Sequence, residues 1–140
     1  MKAKVKTRWV EALRSDEYQQ GKGWLHQIDQ AGQERFCCLG VLCEIAAQDG
    51  VIEPGRESAR AADGVVTYDY AGCSGLLPDE VAEWAEIGED AEHGTDGDGD
   101  VTVRTGGLDG WPNVGWTGVA ELNDAGVPFS KIADLIEESL

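Results

Sequence analysis

Between residues 61 and 103 the chain has no Lys or Arg at all, against twelve Asp and Glu. Residues 1–60 are balanced, with nine bases and nine acids, and residues 104–140 carry two bases and six acids. The resulting formal charge of −16 repels nucleic acids and anionic membranes at long range. DNA and RNA are thereby disfavoured as partners, short of a local basic pocket. Histidine is also scarce, at two residues. Cys37-Cys38 followed by a four-residue gap to Cys43 is not a zinc spacing, so these three and Cys73 read as buried thiols. The longest apolar run, Phe36–Cys43, is eight residues, too short to span a bilayer. The bases Lys2, Lys4, Lys6 and Arg8 are not followed by the apolar stretch of a secretory signal. A soluble, intracellular protein with reduced thiols is the expectation.

What the chain does have is one concentrated apolar block. Leu39, Leu42, Cys43 and Ala46 follow helical spacing, and so do Cys38, Val41, Leu42 and Ile45. Two overlapping stripes predict a buried central helix, stopped near Asp49-Gly50. Around it the pattern predicts a small single α+β domain over 1–140 with short hairpins and two C-terminal helices. Thr7 is the expected cap of a first helix to about Asp16. Trp24–Ile28 and Glu34–Phe36 read as a hairpin across Asp29–Gln33. Residues 51–64 read as loop, Val65–Tyr70 as a strand, and Leu77–Ala85 as a helix with Pro78 in its first turn. Gly88 to Asp100 reads as an acidic mobile loop. Val101–Arg104 is a short strand expected to pair with Val65–Tyr70. Thr117–Asp124 and Ser130–Glu138 are the last two helices, the second capped by Ser130.

Candidate sites follow from local chemistry. Gln20-Gly21-Lys22-Gly23, between Tyr18 and Trp24, offers backbone N–H groups, one ammonium and aromatic faces to a small anionic ligand. It lacks the pattern of a Walker loop and does not open a helix. Asp96-Gly97-Asp98-Gly99-Asp100 resembles a calcium loop, but Val101 and Gly107 stand at the sixth and twelfth positions where Gly and Glu are needed. Its acids, with Glu89, Asp90 and Glu92, read instead as a solvated face able to meet a basic partner. Cys37 and Cys38 sit at a strand-to-helix junction, where a helix dipole lowers a thiol pKa. A cysteine hydrolase with His26 or His93 as base is the corresponding alternative. No cofactor motif or metal site is readable.

Several blocks, taken together, resemble one family. They are Trp9-Val10-Glu11-Ala12-Leu13-Arg14-Ser15, the Gln20–Gly23 turn, Phe36–Cys43, Leu77–Trp84 and Leu122-Asn123-Asp124-Ala125-Gly126, followed by Phe129 and Ile132-Ala133-Asp134. They are similar to small uncharacterised proteins encoded by tailed bacteriophages and prophages, with the acidic stretch 85–115 as an insertion in this chain. The resemblance implies phage origin and a place in the host bacterial cytoplasm, and carries no reaction over to any residue. It adds the expectation of a non-enzymatic counter-defence protein. The first reading is sequestration of a nucleotide-derived immune signal at Tyr18 and Gln20–Trp24, possible as a homodimer. The alternative is an acidic inhibitor masking a host nucleic-acid-binding or defence protein.

Overall fold

The computed structural model describes residues 1–88, 99–111 and 115–140. Among the described residues, five helices and six short strands pack around one hydrophobic core. In chain order they are α1 (Ala3–Arg14), β1 (His26–Ile28), β2 (Glu34–Phe36), α2 (Cys38–Gln48), β3 (Arg56–Arg60), β4 (Val66–Asp69), α3 (Asp79–Trp84), β5 (Thr102–Arg104), β6 (Trp116–Gly118), α4 (Val119–Asp124) and α5 (Phe129–Ser139). The α+β class expected from the sequence is what the chain forms.

The apolar block becomes α2, and every residue from Cys38 to Cys43 is buried, with Ile45 and Ala46. Gly40 is indispensable to its seating. A Cβ there would overlap the carbonyl oxygen of Leu25, so the helix can lie against the chain entering β1 only where no side chain intervenes. That same carbonyl accepts the Cys37 N–H at 3.2 Å. Trp9, fully buried on α1, donates its indole N–H to Cys38 O at 2.9 Å. The inner stripe of α1 (Val5, Trp9, Val10 and Leu13) packs chiefly on α5. At the outer edge of that contact Arg14 bridges Asp134 (2.8 Å) and Glu137 (2.6 Å).

The larger sheet is antiparallel in the order β2-β1-β4-β3, and a separate two-stranded sheet joins β5 to β6. This corrects two expectations. Arg56–Arg60 is an edge strand rather than loop; all five residues are exposed, so no buried alternation marks them. Residues 102–104 pair with Trp116–Gly118 and not with β4. Two caps also differ. Helix α1 begins before Thr7, with Lys2 at its N-cap, and α5 begins at Phe129 after Pro128; neither cap residue makes a side-chain bond. Among the described residues no helix is long and apolar enough to cross a membrane.

Candidate functional site

The Gln20–Gly23 turn lies against the α4–α5 junction, and its polar groups are already engaged there. Gln20 donates from Nε2 to Val127 O (2.8 Å) and Asn123 Oδ1 (3.2 Å), and its Oε1 accepts the Phe129 N–H (3.0 Å). Gly21 N–H donates to Phe36 O (2.7 Å), and Gly23 N–H to the Asp124 carboxylate (2.9 Å). Lys22 O accepts from Gln27. The Lys22 ammonium nitrogen lies 3.7 Å from where a Cβ on Gly126 would be, just past the C-terminal end of α4. A cation suits that end of a helix.

The hub of these contacts is Asn123, which is fully buried. Its Nδ2 donates to Gly21 O at 2.7 Å, and its Oδ1 accepts the Cys38 N–H that opens α2 at 3.2 Å. Three segments remote in sequence are thus tied through one amide: the turn, the start of α2 and the end of α4. The two glycine N–H groups proposed to cradle an anion have acceptors of their own, one of them a carboxylate.

The remaining sequence-derived residues separate. Tyr18 packs edge-on against Phe36, with ring centroids 5.1 Å apart, on the sheet face that carries His26. Trp24, the one exposed large hydrophobic side chain among the described residues, lines a shallow groove with Gln27, Ala59 and Thr67. Gln27 follows His26 in β1, and successive strand residues point to opposite faces. The two aromatics therefore do not share a pocket. Asp100 does not belong to an exposed acidic face. It is 8% exposed, and its Oδ1 accepts the Ala120 N–H (2.9 Å), satisfying the first turn of α4 from a distance. Gly118 makes room for that carboxylate, since a Cβ there would overlap it. Glu89, Asp90, Glu92, His93, Asp96 and Asp98 lie outside the described residues. Among the described residues no group of three or more His, Cys, Asp or Glu is placed to hold a metal ion.

Three of the four thiols are packing groups, whereas Cys73, expected to be buried, is only partly so. Cys37, Cys38 and Cys43 are buried, and burial pushes the Cys37 thiol up to about 12 and the other two well above their ordinary value. Little thiolate exists at neutral pH, which opposes a nucleophilic role.

A different region has the chemistry first sought at the turn. The first turns of α1, with Asp49 and Trp84, line an open groove of about 620 Å³. Lys2, Lys4 and Arg8 project along it beside Ala3, Val5 and Thr7, and Trp84 forms an apolar wall. Arg8 is paired with Asp49 at 2.6 Å. None of the ion pairs among the described residues includes Lys2, Lys4 or Lys6. No acid and no capping side chain occupies the first turn of α1. Four of the eleven bases in a strongly acidic protein thus fall within eight residues, at the end of a helix that itself favours anions.

Residues 1–140 match the family described as Domain of unknown function (DUF8296). The chain belongs to that family. No curated protein and no solved structure matches it. In this DUF8296 member local sequence pattern gives no sign of the groove as a whole, because Trp84 and the basic start lie far apart along the chain. The alternating Lys2, Lys4, Lys6 and Arg8 were the available signal. Asn123 was legible only as a turn residue, since an amide's long-range partners leave no mark on local spacing.

Proposed function

We propose that this protein is a non-catalytic binder that sequesters a small anionic, nucleotide-like ligand. The groove along the first turns of α1 is its site, in place of the Gln20–Trp24 turn. The observation that carries this reading is the meeting of Lys2, Lys4 and Arg8 with Trp84 in one groove of a protein of net charge −16. Lysines and an arginine neutralise phosphate oxygens, and an indole face stacks a base. The volume falls in the ordinary range of small-molecule sites. Asp49, partner of Arg8, supplies an acceptor for a sugar hydroxyl or an exocyclic amine. The phage-like sequence blocks supply the setting: a counter-defence protein in the host bacterial cytoplasm that removes a nucleotide-derived signal.

Isothermal calorimetry against cyclic dinucleotides and ADP-ribose cyclisation products is the direct test. Saturable heat that is lost in Lys2→Glu/Lys4→Glu and kept in Lys22→Ala is the expected result. Binding that survives the double substitution but fails with Lys22→Ala returns the site to the turn. No heat with any member of the panel overturns the reading for this ligand class.

A further inference from the structure

His26 occupies an unusual position. Its ring is stacked between Phe36 (centroids 4.2 Å apart, 8° between planes) and Tyr68 (4.4 Å, 17°), its direct cross-strand partners on β2 and β4. Its two nitrogens meet different groups. Nδ1 lies 3.2 Å from the hydroxyl of Tyr70, which in turn lies 2.8 Å from Oε2 of Glu44 on α2. Nε2 lies 2.7 Å from Oε1 of Glu34, yet this contact is poorly directed, and Nε2 is a buried nitrogen without a proper hydrogen bond.

Counting protons assigns the roles. Tyr70 has one hydroxyl proton, and the shorter contact is to a carboxylate, which when ionised only accepts. The proton therefore goes to Glu44, and the hydroxyl oxygen is left to accept from Nδ1–H. A neutral His26 then carries its lone pair on Nε2, facing the Glu34 carboxylate, where two acceptors repel. Protonation of Nε2 reverses the sign of that contact. Burial favours the neutral ring, while Glu34 and Glu44 favour the charged one. Other ionisable groups around the ring are Tyr18 against Phe36, Tyr68 itself, Cys43 beside Glu44, and Glu57, which pairs with Tyr68 from β3.

We propose that His26 and Glu34 form a proton-operated latch on the β1–β2 hairpin. Above the transition His26 is the neutral Nδ1–H tautomer, and Glu34, whose side chain is 60% exposed, turns out to solvent. Below it, Nε2–H binds Glu34 and fastens β2 to β1. Because Phe36 of β2 also holds the Gln19–Gly21 backbone, the latch state reaches the turn clamped by Asn123.

Long-range proton–nitrogen NMR correlation of the imidazole, followed from about pH 4 to about pH 9, tests this directly. His93→Gln removes the only other histidine signal. The neutral ring of His26 is expected as the Nδ1–H tautomer, the minority form of an unconstrained histidine, with Nε2 alone titrating. Glu34→Gln is expected to lower the midpoint by about half a pH unit or more, and Tyr70→Phe to abolish the tautomer preference. A neutral Nε2–H tautomer in the otherwise wild-type protein overturns the proposal, without reliance on any variant at the latch. An unchanged midpoint in a folded Glu34→Gln protein overturns it as well.

Discussion

The turn at Gln20–Gly23 and the groove at the start of α1 share one pairing of residue types, lysine with tryptophan, made locally with Trp24 at the turn and across the fold with Trp84 at the groove. In the folded chain they are opposites. At the turn every bond drawn above satisfies a protein group with another protein group, and the one lysine sits at a helix end. At the groove Lys2 and Lys4 have no ion pair among the described residues, and the helix end beside them has no side-chain cap. The lesson is that donors in a glycine turn indicate a ligand only if nothing else in the fold reaches them. Here Asn123, Asp124 and Phe36 do.

The contrast can be broken most severely at Asn123. Asn123→Ala leaves the Cys38 N–H and the Gly21 carbonyl without their partner in a dry site, and is expected to cost about 3 kcal/mol or more by urea denaturation. Ligand affinity per folded molecule should not change. At the groove the expected pattern is inverted. Lys2→Glu/Lys4→Glu should weaken binding at least about tenfold, about 1.4 kcal/mol. It should also raise folding stability slightly, since acids complement the positive end of α1. A double variant that loses both binding and stability would show the lysines to be structural.

Acidification distinguishes the two regions by another route. Burial holds the His26 pKa below its ordinary value, so between that value and the folded pKa the unfolded chain binds a proton that the folded chain does not. Stability should therefore be greatest above about pH 6.5 and fall as pH is lowered through that window. His26→Phe should flatten this part of the profile in thermal melts, with groove binding unaffected. The smallest effect is expected for Lys22→Ala, which removes only an exposed cation at the end of α4. Its denaturation midpoint should move least of the series, and its calorimetric affinity should match wild type.

Much of the fold was legible. The overlapping stripes of Cys38–Ala46 require a buried helix whatever surrounds them, and the Trp24–Phe36 hairpin announced itself through Asp29–Gln33. Strand β3 was not legible because an exposed edge strand has no hydrophobic period. The pairing of β5 was misassigned because two β-branched segments look like partners, whereas the Asp100 carboxylate and Gly118 bring β6 alongside instead. For the site, local spacing marks lysine, glycine and tryptophan at the turn, but not the protein partners that the folded chain gives them. Whether the Gly23 N–H is available depends on Asp124, 101 positions away, and local pattern contains no such information.

The amide of Asn123 also imposes an order on the making of the molecule. The first N–H of α2 and the turn before it are synthesised early, but the group that satisfies both arrives with the penultimate helix. A nascent chain can form α2 as it emerges, yet it holds those donors and acceptors open to water until α4 has been made. Closure is then a late, long-range event, slow relative to helix formation. Any partner or protease acting on this protein during translation meets a surface at Gln20–Gly23 that the finished molecule no longer offers.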